Sequence, residues 1–207
     1  MTLPLSRRAA ITTGATLLAA PTLARAQGEW PNRTIRLVVP FTPAGTTDIA
    51  ARILAERLTQ RLGQQVVVEN RPGAGGNVGS EVVVKADPDG YTMLMGTVSS
   101  AAINYSLYGP RMPYRPDDLA GAGLMLRVPN LIFVTNALPV RTLAELVDFA
   151  KARPGRLNNG SSGNGTSLHL TGELLKTVAG IDMQHVPFRG SGPMLQEVIA
   201  GRIEVAV

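Results

Sequence analysis

Two glycine-rich turns carry the most specific chemistry in the chain. They are Pro40-Phe41-Thr42-Pro43-Ala44-Gly45-Thr46-Thr47-Asp48 and Ser161-Ser162-Gly163-Asn164-Gly165-Thr166-Ser167-Leu168-His169. Each follows a β-rich run and opens a helical pattern. A helix N-terminus leaves backbone N–H groups without intrahelical partners and carries the positive end of the macrodipole, so it attracts anions. Two such turns, about 120 residues apart, suit two lobes that grip an anionic ligand from opposite sides. The hydroxyls of Ser99, Ser100, Ser161, Ser162, Thr166 and Ser167 are the donors that carboxylate recognition uses. Neither turn contains Arg or Lys. Amides and hydroxyls are therefore expected to meet the charge there, with Thr166 and Ser167 as the test pair.

Other chemistries fit less well. Gly73-Ala74-Gly75-Gly76-Asn77-Val78 begins like a dinucleotide fingerprint but puts Val78 where the third glycine belongs, and Leu168 breaks the second turn in the same way. Neither continues into the Lys-Ser/Thr of a phosphate loop. No G-x-S-x-G elbow occurs, which removes the commonest serine-hydrolase arrangement, and no enzyme activity is expected. His169 and His185 lack an acidic partner at metal spacing, so neither a metal nor a cofactor is expected. Asp48 has two readings, a capping acid on the helix dipole or a group that meets a ligand amine or ligand-bound water. His169 either faces a cleft or packs, and His185 reads as packing.

The elements that must position these turns alternate strand and helix, which implies an α/β fold with largely parallel sheets. Ile35–Phe41 reads as the first strand. Asp48–Leu62 reads as an amphipathic helix with Ile49, Ile53, Leu54, Leu58 and Leu62 on one face, stopped by Gly63. Val66–Glu69 and Tyr91–Thr97 read as further strands, joined by a glycine-rich turn at 70–77 and a short helix at about Val78–Lys85. Ligands of open α/β sheets lie beyond the strands' carboxyl ends, where the turns at 43–48, 70–77 and 97–100 fall. Tyr105–Asp118 reads as an irregular connection, and Ala122–Val128 and Leu131–Thr135 as strand candidates. Beyond them, the capping box Thr142-Leu143-Ala144-Glu145 opens a helix to Arg153. A short strand at 157–159, helices at 166–179 and about 192–200, and strands at 184–187 and 202–207 complete the pattern.

At the N-terminus, Arg7-Arg8, the apolar run Ala9–Ala20 and Ala24-Arg25-Ala26 have the layout of an export signal over residues 1–26, by the Sec or the twin-arginine route. The formal net charge is +5, from 20 basic and 15 acidic residues. Loss of Arg7, Arg8 and Arg25 would leave 17 against 15, or +2. With aromatics at only 4%, no basic and aromatic nucleic-acid surface is expected. Cysteine is absent, which excludes a disulfide framework and thiol catalysis.

Taken in order, the motifs Pro-Phe-x-Pro-x-Gly-x-x-Asp, Val-Val-Glu-Asn-Arg-Pro-Gly-Ala-Gly-Gly-Asn, Asp-Pro-Asp-Gly-Tyr-Thr and Gly-Asn-Gly-Thr-Ser-x-His-Leu span much of Trp30–Val207. Their succession resembles the Bug receptors, the periplasmic substrate-binding proteins of tripartite tricarboxylate transporters. The resemblance implies a two-lobed, periplasmic-binding-protein-like (type II-like) α/β fold with parallel-rich sheets. It also implies a small organic carboxylate as ligand, transporter membrane subunits as partners, a periplasmic location and a monomer. A ligand-presenting sensor or scaffold of the same fold is the alternative, with a non-functional fragment as a third reading.

Carried onto this chain, the ligand contacts would be Thr42, Pro43, Ala44, Gly45, Thr46 and Asp48 from the first lobe. Ser161, Gly163, Asn164, Gly165, Thr166, Ser167 and His169 would come from the second, with Asn70, Gly75 and Ser99 in support. The expected lobes are 27–128 and 129–207. Ala44 departs from the family, which usually has glycine there. Family members run longer, so the second lobe is expected to be incomplete, with apolar surface open beside its last strand, lowered stability and weak ligand capture.

Overall fold

The computed structural model describes residues 29–207, and Arg33–Val207 forms one compact unit. The expected export signal lies outside the described residues. Strand β1 (Ile35–Val39) pairs in parallel with β2 (Val66–Asn70) and β3 (Thr92–Leu94), giving the order β2-β1-β3. Helix α1 (Thr46–Leu62) and helix α2 (Asn77–Val84) are the connections between these strands. A second sheet has the order β4-β7-β5-β6, from β4 (Phe133–Val134), β5 (Asn158–Ser161), β6 (Gln184–Pro187) and β7 (Val205–Ala206). Only β4 runs antiparallel in it.

The first core packs Ile35, Leu37 and Val39 against Ala51 and Ala55 of α1, with Leu54, Leu58 and Leu62 beside them. The expected apolar face of this helix is therefore rotated. Ile49 and Ile53 are about half exposed, and the small residues Ala51 and Ala55 make the contact. Alanine lets the helix approach β1 closely, whereas the isoleucines follow the right spacing on the wrong side. Helix α1 ends as expected, with Gly63 at φ 67° donating its N–H to the Thr59 carbonyl.

The second sheet is covered on both faces, as a parallel-rich sheet requires. Helix α4 (Leu143–Lys151) and helix α5 (Ser167–Ala179) cover one face through Leu146, Ala150, Leu175 and Ala179. Helix α6 (Ser191–Ile199) covers the other through Met194 and Val198. The capping box forms, the Thr142 hydroxyl accepting the Glu145 N–H while Glu145 accepts the Thr142 N–H.

Three expectations fail. Residues 122–128 form no strand. Nothing pairs with them, and Leu124 is 75% exposed. The stretch read as irregular from Tyr105 instead begins in a helical run, a π-helical turn Ser99–Ile103 that continues into α3 (Asn104–Tyr108). The last strand does not border open surface either. It lies between β4 and β5, and Val205, Ala206 and Val207 are buried.

Candidate functional site

The first turn is braced from beneath by Asp48. Its buried carboxylate accepts the Ala44 N–H at 3.0 Å, the Asn70 side-chain amide at 2.8 Å and two guanidinium N–H groups of Arg52. Burial pushes the Asp48 carboxyl up, but the hydrogen bonds from Arg52, Asn70 and Ala44 outweigh it and hold the group below the ordinary aspartate range. Asn70 also donates to the Phe41 carbonyl. Asp48 and Asn70 thus spend their polar atoms on holding the turn.

The brace keeps Ala44 at φ 64°, a left-handed conformation that costs an L-residue about 1–2 kcal/mol. Ala44→Gly should remove that cost, less about 0.4–1 kcal/mol for the freer unfolded chain. A small net gain, read as a thermal midpoint rise of a few degrees, is expected. A lowered midpoint would show that Ala44 is not strained.

The second turn is built on its own side chains. Thr166 caps α5, its hydroxyl accepting the His169 N–H and donating to the Gly163 carbonyl at 2.7 Å. Ser161 Oγ accepts the Gly163 N–H and lies 2.8 Å from His185 Nε2. His169 accepts the Gly165 N–H at Nδ1 and stacks on His185 with ring centroids 4.1 Å apart. Ser167 donates towards Asn130 on the outer side. Thr166 is therefore occupied in holding the turn while Ser167 reaches Asn130 outside it, and their double replacement would report on the cap before it reported on a ligand. His185 is part of the support, because its register opposite Asn159 brings it beneath Ser161.

Burial pushes His185 below the ordinary histidine range. The stacked His169 and Lys176 act in the same direction, and Glu173 opposes them. A base with a depressed folded pKa stabilises the fold fully above its unfolded value of about 6.5, and this contribution is lost as pH falls. Between pH 7 and 5 the protein should lose stability with a slope that His185→Gln lacks, at most about 1.4 kcal/mol per pH unit. Parallel slopes in denaturant titrations of the two proteins would refute this role.

The two turns meet. The Thr42 N–H donates to the Arg189 carbonyl at 3.1 Å, joining the first turn to the β6–α6 turn. A Cβ on Gly75 would overlap the Asn164 carbonyl oxygen, and one on Gly190 would overlap the Thr42 hydroxyl. Asn104 braces this seam, donating from Nδ2 to the Gly75 carbonyl at 3.1 Å and to Asn77 Oδ1 at 2.7 Å, while the Tyr114 hydroxyl donates to the Ser100 carbonyl. Ser99 is buried at the start of this helical run.

Between the turns lies a cavity of about 180 Å3. Phe41, Tyr108 and the 73–76 turn line it on one side, with Ser162, Gly163, Asn164, Pro187, Phe188 and Arg189 on the other. A single water needs roughly 10–15 Å3 of such space, so a small molecule fits. The backbone N–H groups of Gly45, Thr46, Ser162 and Asn164 have no acceptor among the described residues. Such unpaired donors are what a carboxylate would use.

Of the residues expected at the site, Gly75, Gly163 and Asn164 line the cavity, while Thr42, Pro43 and Gly45 lie along the seam with the 189–192 turn. Thr46 heads the exposed start of α1. Tyr108, Phe188, Arg189 and Asn104 were not anticipated. Arg189-Gly190-Ser191-Gly192 has the same strand–glycine turn–helix order as the first two turns, and that order is the signal in the sequence. A wider, shallow groove of about 410 Å3 runs between α1 and β2, away from the turns. No group of three or more metal-ligating side chains occurs among the described residues, and no described helix is long and apolar enough to cross a membrane.

Comparison with known proteins gives a consistent picture. A family profile described as "Tripartite tricarboxylate transporter family receptor" matches residues 50–207. The chain is 38% identical over 179 residues to the UPF0065 protein in the tcbD-tcbE intergenic region of Pseudomonas sp. (strain P51), a match that takes 86% of this chain and 53% of that protein. Among solved structures, R. palustris Rpa4515 with adipate matches at TM-score 0.83 and 43% identity, over 86% of this chain and 59% of that one. MatC (Rpa3494) from Rhodopseudomonas palustris with bound malate matches at TM-score 0.76 and 32% identity, over 85% and 60%. The chain spans somewhat more than half the length of these relatives.

Proposed function

The chain belongs to the tripartite tricarboxylate transporter receptor family, and from that premise we propose that it captures a small organic carboxylate in the periplasm for a membrane transporter. Its parallel-rich α/β architecture is that of the periplasmic binding proteins it matches. The observation that carries the reading is the cavity where the 73–76 and 162–164 glycine turns face each other, with Ser162 and Asn164, whose N–H groups are unpaired among the described residues, in its lining. The relatives with adipate and malate support a carboxylate as the ligand class. The arrangement is suited to holding a ligand unchanged. Ser161 is fully buried and its hydroxyl is engaged with Gly163 and His185, so it is not presented as a nucleophile.

The test is a thermal-shift panel on the 207-residue protein with adipate, malate, a monocarboxylate and a neutral diamide. A ligand that binds only the folded state adds about 2.7 kcal/mol at 100 times its Kd. At this chain length that is roughly a 5–10 °C rise. Carboxylates should raise the midpoint and the diamide should not. Indifference to every carboxylate, or chemical conversion of any of them, would sink the proposal. Export is tested separately by N-terminal sequencing of the secreted form, which should begin at Gln27.

A further inference from the structure

We propose that Asn164-Gly165 is a self-modification site, at which the Asn164 side chain closes onto the Gly165 nitrogen and becomes aspartate or isoaspartate, with His169 taking the Gly165 amide proton. Its effect on ligand capture rests on the carboxylate-binding reading above. The chain contains two Asn-Gly pairs, Asn159-Gly160 and Asn164-Gly165, and the fold treats them oppositely. Asn159 is fully buried within β5, its amide lies against Gly172 of α5, and Gly160 is held in the ladders to β6 and β7. Asn164 is exposed, and its side-chain amide has no hydrogen-bond partner among the described residues. The nitrogen it would meet belongs to a glycine, which has no Cβ to shield it. The Gly165 N–H also points at His169 Nδ1, 3.2 Å away, which is the reach that a general base needs.

The step needs only water besides the chain itself. A bond forms between the Gly165 nitrogen and Asn164 Cγ while the Cγ–Nδ2 bond breaks, and the Gly165 proton passes by way of His169 to the departing ammonia. Water then adds to either carbonyl of the cyclic imide and opens it to aspartate or isoaspartate. Asn164 lines the cavity beside Ser162 and Gly163, so either product sets a carboxylate among the donors offered to an anion. Isoaspartate also lengthens the backbone of a turn whose Asn164 carbonyl already fills the place of a Cβ at Gly75. Both products oppose capture, and the reaction acts as a one-way clock on the site.

The test incubates the 207-residue protein in warm neutral buffer and follows the NH2-to-OH mass gain at Asn159 and Asn164 by peptide mapping. Asn164 should convert about tenfold or more faster than Asn159, whose reaction needs local opening of the sheet, and isoaspartate should be among its products. His169→Phe should slow conversion at Asn164 by about tenfold or more, on the scale of a positioned base, and added imidazole should restore part of the rate. A merely loosened turn would react faster instead. No conversion at Asn164, or equal rates at the two pairs, overturns the proposal, and an unchanged or faster rate in His169→Phe overturns the role of His169. Asn164→Asp, a stand-in for one product, should bind adipate and malate about tenfold or more weakly than Asn164→Gln in calorimetry, because like charges then share the cavity. Equal affinities would overturn the effect on capture. If the wild type binds neither acid, the carboxylate-binding reading fails, and the mass measurement still decides the modification.

Discussion

Gly75→Ala should reduce ligand affinity by about 100-fold or more while lowering the ligand-free thermal midpoint only by a few degrees. Two effects act at this position. Gly75 has φ 63°, so alanine would pay about 1–2 kcal/mol of local strain. Its Cβ would also occupy the space of the Asn164 carbonyl oxygen, a backbone atom of the facing turn that has no rotamer with which to retreat. Strain alone weakens the fold, whereas the collision pushes apart the two turns that enclose the cavity. Gly63→Ala separates the effects. Gly63 has nearly the same φ, 67°, and nothing within 4 Å of an added Cβ. Gly63→Ala should lose only the strain, Gly75→Ala somewhat more, and only Gly75→Ala should lose binding. Equal affinities in calorimetry would mean that close approach of the turns is not needed for capture.

The turns were legible in the sequence because glycine, serine and threonine clustered between a β-branched run and an amphipathic run leave few other conformations. The helix stop at Gly63 and the capping box at Thr142 were legible for the same reason, since their chemistry is local. What could not be read depends on partners distant in sequence. Residues 122–128 have apolar side chains suited to a strand, but a strand also needs a neighbour to complete its hydrogen bonds, and none lies beside them. Ile49 and Ile53 fit a helical stripe, yet the close approach of α1 to β1 selected Ala51 and Ala55 instead.

The site divides along the same line. That the 70–77 and 161–169 turns would line a common cavity follows from their glycine placement, but not which side chains were left free of other partners. Thr166 is spent on a cap, Ser167 on Asn130, and Asp48 on its own turn. Asn104 was hidden because Ser99–Tyr108 lacks an apolar period, although its amide braces Gly75 from within. Arg189 lies outside the first two glycine turns, on a third turn that only the tertiary fold brings to the cavity.

Asp48→Ala should cost about 2–3 kcal/mol and at least tenfold in ligand affinity, although its carboxylate is turned into the protein. The buried carboxylate binds Ala44, Asn70 and Arg52 together, and hydrogen bonds to charged groups contribute about 1.5–3 kcal/mol each, less than additively. Removing it frees the Ala44 N–H and releases Ala44 from its left-handed conformation, so the turn carrying Gly45 and Thr46 relaxes away from the geometry that presents their N–H groups. Asp48→Asn should fall between the two, since one oxygen remains as an acceptor while the charge facing Arg52 is gone. The dependence on acid gives an independent check. A carboxyl held below its ordinary value contributes fully above the unfolded pKa of about 3.9, and the contribution fades as pH falls through the folded value. The stability gap between wild type and Asp48→Asn should therefore be constant from pH 7 to 5 and close below about pH 4. A gap that persists unchanged at pH 3 would mean that Asp48 holds the turn by shape rather than by charge.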